Sequence, residues 1–159
     1  MVILMGFDLY RENENLDGEK HQFGAKDYFR WNIWGFPPIR FLGELYGWVP
    51  MGTISPSWTD DDGIEHGESE CGYDTNDGQV VTAKDAQNWA DALKEGVKDL
   101  VPNKNIDTGG RIDDAFMEER KSIWDKDPDA IRNWFNTIDD IDYVLDFISF
   151  LERGEFRIY

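Results

Sequence analysis

The sequence predicts an α+β fold: a small, mainly antiparallel sheet formed largely by the chain ends, packed against about four to five helices. Two observations carry that prediction. Short alternating or β-branched runs lie at residues 2–10, at residues 28–34 and around Phe156 and Ile158, near the two ends of the chain. Elsewhere apolar residues recur at helical spacing, and most of those stripes follow a residue that starts or caps a helix. No internal repeat or linker divides the chain, so a single domain over residues 1–159 is expected.

Residues 2–10 open β-branched and apolar, then alternate Phe7 and Leu9 with Asp8 and Tyr10, as a strand with one buried face does. Residues 11–26 carry Asn13, Asn15, Asp17-Gly18 and Gly24, and read as a loop. In an extended segment over 28–34, Tyr28, Arg30, Asn32 and Trp34 share one face and Phe29, Trp31 and Ile33 the other. Gly35-Phe36-Pro37-Pro38 stops that strand. Ile39, Leu42, Leu45 and Tyr46 then follow at helical spacing toward Gly47. Residues 49–77 are dense in turn formers and long for a structureless connection, which implies a hidden short strand or a functional loop.

Thr82-Ala83-Lys84-Asp85 forms a capping box with Asp in place of the usual Glu or Gln. Ala86, Trp89, Ala90, Leu93 and Val97 then share one stripe, and Pro102 lies beyond its end. A second helix is expected over 112–124, with Ala115, Phe116, Ile123 and Trp124 inward. Asp127-Pro128 starts a short helix through Phe135, with Ile131, Trp134 and Phe135 inward. Thr137-Ile138-Asp139-Asp140 caps a last helix carrying Ile141, Val144, Leu145, Ile148 and Leu151, and Gly154 ends it.

Aromatic residues make up 14% of the chain, too many for a disordered polymer. Asp and Glu outnumber Lys and Arg by 33 to 16, for a formal net charge of −17. Such a field repels nucleic acid phosphates and anionic lipid, so neither is expected as a partner. It favours a basic protein or a small cation, and it keeps an aromatic-rich chain in solution. Cys71 is the only cysteine, which rules out an internal disulfide and suits a reducing compartment. The N-terminus has no basic region before its short apolar run, so a secretory signal is not expected and the cytoplasm is. Oligomeric state is left open by the sequence.

The charge is unevenly placed. Residues 1–40 hold six acidic and five basic residues, whereas residues 41–83 hold no Lys or Arg at all. That second stretch carries Glu44, Asp60, Asp61, Asp62, Glu65, Glu68, Glu70, Asp74 and Asp77. Clustered carboxylates suit a hard cation, which makes Asp60, Asp62 and Asp74 candidate ligands. Yet Asp74-Thr75-Asn76-Asp77-Gly78 places Gln79 where a helix–loop–helix calcium site needs Gly, and no Glu closes the loop. A solvated acidic loop with an Asp-Gly turn accounts for the same residues.

Catalytic signatures are lacking. His21 and His66 have no second histidine or cysteine ligand at metal-binding spacing, although Cys71 follows His66 amid Glu65, Glu68 and Glu70. No nucleophile elbow, phosphate-binding loop or zinc-protease helix is present, and no cofactor is implied. The aromatic run Tyr28-Phe29-Arg30-Trp31-Asn32-Ile33-Trp34 offers rings beside polar groups, able to stack a ligand and to orient it.

The chain resembles a family of uncharacterised small bacterial and phage-associated proteins in three places. These are Met5-Gly6-Phe7-Asp8-Leu9-Tyr10, Tyr28-Phe29-Arg30-Trp31-Asn32-Ile33-Trp34 followed by prolines, and Asn76-Asp77-Gly78 ahead of an Ala-rich helix. The resemblance is scattered over the first two-thirds of the chain, and the chain departs from it in residues 14–27 and in its helical C-terminal third. It implies candidate binding positions at Asp8, Tyr10, Arg30, Asn32, Trp34 and Asp77, and it implies no reaction; Tyr28, on the strand face shared with Arg30, Asn32 and Trp34, and Asn76, beside Asp77, complete the candidate set.

The leading expectation is a non-enzymatic acidic interaction domain for a basic or cationic partner. Two alternatives stand beside it. One is a small-molecule hydrolase with a cleft around Asp8, Arg30, Asn32 and Asp77; the other is a divalent-cation loop within residues 60–78.

Overall fold

In a computed structural model, residues 6–11, 27–102 and 114–159 are described. They form a six-stranded antiparallel sheet in the order β2-β1-β8-β7-β3-β6, a separate two-stranded hairpin β4-β5, and five helices. The strands are β1 Gly6–Tyr10, β2 Tyr28–Asn32, β3 Thr53–Ser55, β4 Trp58–Thr59, β5 Glu65–His66, β6 Ser69–Cys71, β7 Gln79–Val81 and β8 Phe156–Ile158. The helices are α1 Phe36–Leu45, α2 Ala83–Val97, α3 Asp114–Trp124, α4 Pro128–Trp134 and α5 Ile138–Leu151. The expected residues 2–5, most of the 11–26 loop and the start of the 112–124 helix lie outside the described residues.

Strand alternation sorts the sheet into two faces. Phe7 and Leu9 of β1, paired with Trp31 and Phe29 of β2, turn inward with Phe156 and Ile158 of β8 and Val81 of β7. On that face Phe7 stacks on Phe36 of α1 at 4.3 Å, and Trp31 meets Phe147 of α5 at 5.3 Å. Among the described residues the buried hydrophobic side chains, Tyr28 apart, form one contiguous cluster. Arg11 continues the inward parity. Its guanidinium lies over the Phe150 ring and donates to the Phe150 carbonyl, tying the end of β1 to α5.

The two capping signals form as local chemistry requires, and Asp127, ahead of the expected proline start, caps its helix as well. Thr82, Asp127 and Thr137 each accept a hydrogen bond from the backbone N–H three residues on, Asp85, Ala130 and Asp140 respectively. Gly47 and Gly154, just past α1 and α5, have φ of 100° and 112°, a region that side chains with a Cβ rarely enter.

The structure corrects several placements. Trp34 does not continue the β2 face, because the strand ends at Asn32. The Asn32 Oδ1 accepts from the N–H groups of Trp34 and Gly35 and folds the chain into a turn. Ala115 is exposed on α3, and Trp124 is half-exposed, with an edge contact to Phe41 at 5.6 Å. Leu145 faces solvent, because the inward stripe of α5 runs through Val144, Phe147, Ile148 and Leu151. Residues 49–77 contain four short strands rather than one. The Asp85 carboxylate turns into the core instead of closing a capping box at the helix end. No described helix is long and apolar enough to cross a membrane.

Candidate functional site

The outer face of the sheet gathers most of the residues singled out in the sequence. Antiparallel pairing sets Asp8 opposite Arg30 and Tyr10 opposite Tyr28, and Asp8 and Tyr159 exchange backbone hydrogen bonds of 2.7 Å. The Tyr28 hydroxyl donates to Asp8 Oδ1 at 2.6 Å, and Arg30 Nη1 lies 3.4 Å from the same oxygen. The Tyr10 ring packs at 5.0 Å from Tyr28 and 5.6 Å from Tyr159. Asn76 Nδ2 donates to the Gly6 carbonyl at 3.1 Å, which fastens the β6–β7 loop to the start of β1. Asp77 stands exposed on that loop, and its backbone N–H donates to Gln79 Oε1 at 3.0 Å.

Asp8, Tyr10, Tyr28 and Arg30 therefore come together, with Asn76 at their border. Asn32 is spent on a turn. Trp34 has left the face for Phe116 and Arg120, whose guanidinium lies 3.9 Å from the ring centroid. Among the described residues no hydrogen bond or ion pair joins the Asp77 side chain to Asp8, Arg30 or Asn32. Of the four residues of the hydrolase expectation, Asp8 and Arg30 pair on the sheet face, Asn32 holds the turn after β2, and Asp77 stands on the β6–β7 loop.

Tyrosines dominate the titration of the fold. Burial raises Tyr28 and Tyr143 to about 12, and the bond to Asp8 adds to the shift of Tyr28. Burial also raises Tyr10, Tyr46 and Tyr73, with the hydrogen bond to Asp85 second for Tyr73. A phenol raised in the fold contributes stability that is complete below its unfolded pKa of about 10 and is lost as pH rises through the folded values. The expected alkaline titration is late and cooperative. Tyrosinate absorbance should rise together with loss of ellipticity between about pH 10 and pH 12. A gradual rise centred near pH ~10, with the fold intact, would contradict these environments.

The acidic stretch forms a second feature. β4 and β5 make a hairpin outside the main sheet, and every residue from 57 to 70 is exposed except Asp60, which is intermediate. Asp60 organises its tip. The Asp60 Oδ1 accepts from the N–H groups of Asp62 and Ile64 at 3.0 and 2.9 Å, and Oδ2 lies 2.9 Å from His66 Nε2. The His66 contact, then the backbone bonds, hold the Asp60 carboxyl below its ordinary range. The His66 ring stacks on Trp58 at 4.2 Å, leaving Trp58 56% and Ile64 58% exposed. Trp58 and Ile64 thus stand among Asp61, Asp62, Glu65, Glu68 and Glu70.

The metal candidates do not converge. Asp60 is held by His66 and the turn, Asp62 contributes a backbone N–H to that turn, and Asp74 pairs with Arg40 of α1. Among the described residues no group of three His, Cys, Asp or Glu side chains is placed to hold a metal ion.

A third feature escaped sequence reading. A cleft of about 380 Å³ lies between the β2–α1 turn, α3 and the α4–α5 junction. Trp31, Phe116, Trp134 and Tyr143 line it together with the carboxylates Glu119 and Asp140. Gly35 keeps its wall thin, since a Cβ there would sit 3.0 Å from the Trp31 ring. The Tyr143 hydroxyl donates to the Arg30 carbonyl, linking this cleft to the strand behind it.

Compared with known proteins, the chain matches no family model, no curated protein and no solved structure.

Proposed function

We propose that this protein is a non-enzymatic interaction domain that docks a basic protein through the β4–β5 hairpin and its flanks. One observation carries the reading: the hairpin exposes an aromatic and an aliphatic side chain inside a run of carboxylates, in a stretch of more than forty residues with no Lys or Arg. Exposed Trp58 and Ile64 supply apolar area of the kind that anchors an interface, and the surrounding carboxylates steer a basic surface toward them. The hairpin contributes little to the core. Its loss to a partner surface therefore costs the fold almost nothing.

The resemblance to small bacterial and phage-associated proteins points to positions on the sheet face, away from the hairpin, and to no reaction. A cytoplasmic setting is proposed on the strength of the lone Cys71. In the hydrolase alternative Asp8 and Arg30 satisfy each other and Tyr28, an arrangement that braces a sheet.

The test is an affinity measured against ionic strength on a partner isolated with the intact protein. Between about 50 mM and about 500 mM salt the association rate should fall steeply, because exposed charges separated by more than a Debye length are screened. Trp58→Ala should speed dissociation by ~10-fold or more while leaving the melting temperature unchanged. An affinity indifferent to salt, or a partner retained equally by the Trp58 variant, would defeat the proposal.

A further inference from the structure

The cleft between the β2–α1 turn, α3 and α4–α5 stands apart from the hairpin and has its own chemistry. Its volume of about 380 Å³ falls in the range of small-molecule sites. Its described lining includes two carboxylates, Glu119 and Asp140, and no Lys or Arg. Glu119 is half-buried and makes no ion pair among the described residues. Burial alone pushes its carboxyl above the ordinary range. The neighbouring cation, Arg120, is turned away and lies on the Trp34 ring. Arg132 of α4 is likewise committed, donating to the Tyr46 hydroxyl at 2.8 Å and pairing with Asp129 at 3.1 Å.

A partly desolvated carboxylate with no ion-pair partner among the described residues is costly, and the walls around it are Phe116, Trp134 and Tyr143. Ring faces attract a cation, an ammonium can pair with Glu119, and an apolar body can fill the space against the indole and phenyl rings. An anion would meet Glu119 and Asp140 unscreened. A bare inorganic cation would leave the aromatic walls unused. We propose that this cleft binds a small organic ammonium compound with an apolar body.

Titration of the isotopically labelled protein with tyramine, followed by NMR, tests the proposal. Saturable shifts should centre on α3 and the α4–α5 junction. Tyramine should bind at least ~10-fold more tightly than p-cresol, which keeps the ring and lacks the amine, and than methylammonium, which keeps the charge and lacks the ring. Glu119→Gln, which preserves shape and removes the charge, should weaken tyramine by ~10-fold without loss of fold. Trp134→Phe should weaken it less, since a ring face remains. Absence of saturable shifts in the cleft, equal binding of p-cresol, 4-hydroxyphenylacetate or methylammonium, or unchanged affinity in Glu119→Gln would each overturn it.

Discussion

Replacing Asp85 with alanine is expected to destabilise the fold by about 3–5 kcal/mol, a large share of the stability of a domain this size. Asp85 is fully buried in the first turn of α2, and its carboxylate is the acceptor for three donors. Trp48 Nε1 reaches Oδ1 at 2.9 Å, the Met51 N–H reaches the same oxygen at 3.2 Å, and the Tyr73 hydroxyl donates to Oδ2. Tyr73 in turn accepts from the Gly52 N–H at 3.1 Å. One side chain thus pins the segment after α1, the start of β3 and the strand-linking loop at Tyr73 to the N-terminus of α2. Truncation strands two buried donors, Trp48 Nε1 and the Tyr73 hydroxyl, each costing about 1–3 kcal/mol when unpaired, and frees the part-buried Met51 N–H, which water can reach. Asp85→Asn should lose roughly half as much, because one oxygen survives and the amide cannot accept from the remaining donors. Urea unfolding monitored by tryptophan fluorescence gives both values. A loss under about 1 kcal/mol for the alanine variant would mean that the hub does not hold these segments together.

Gly43→Ala is the second large effect, and its sign is the informative part. In an isolated helix the change would stabilise α1 by about 1 kcal/mol. Here a Cβ on residue 43 would lie 2.6 Å from Cδ1 and 2.7 Å from Nε1 of Trp89, with Trp48 Cε3 at 3.1 Å. Trp89 cannot yield easily. It is fully buried, stacked on Trp48 at 4.3 Å with nearly parallel planes, and donates to the Ile39 carbonyl at 3.3 Å. The added methyl must push α1 from α2 or unstack the indoles, so a net loss of about 2 kcal/mol is expected. Gly67→Ala, at a glycine with open space around it, is the control and should be near neutral. If Gly43→Ala raises the melting temperature instead, the close approach of α1 and α2 is wrong.

Much of this fold was legible because its signals are local. Thr82 and Thr137 mark helix starts through bonds reaching three residues along the chain, and those bonds form; Pro128 marks the start of α4 by its fixed backbone angle. The alternation at Phe7 and Leu9, and at Phe156 and Ile158, shows one buried face, and the two end segments do pair. β7 was not legible. Gln79-Val80-Val81 is a short run abutting a helix cap, and its strand character comes from lying between β8 and β3. Leu145 and Ala115 satisfied helical spacing, but which side of a helix faces the core depends on neighbours far along the chain.

The site divides in the same way. Asp8 with Arg30 and Tyr10 with Tyr28 were paired by strand register, and alternation alone placed them on one surface. Trp34 was misplaced because Asn32 ends the strand with a side-chain bond to the following turn, a choice that competes locally with extension. The inward role of Asp85 was hidden, since an acidic residue in a first helical turn is already explained by the helix dipole. Nothing announced the cleft. Its walls come from residues 31 to 143, and only packing brings them together.

Charge placement carries the central claim, and two variants of equal net charge test it most directly. In one, the hairpin and its flank are neutralised by Asp61→Asn, Asp62→Asn, Glu65→Gln, Glu68→Gln and Glu70→Gln. In the other, the same number of exposed helical and turn carboxylates are neutralised by Glu118→Gln, Asp125→Asn, Asp139→Asn, Asp142→Asn and Asp146→Asn. Affinity for the basic partner, measured side by side, should fall by ~100-fold or more in the hairpin variant and by less than ~3-fold in the helical one. Equal losses in the two variants would show that net charge alone attracts the partner, and would contradict docking at the hairpin.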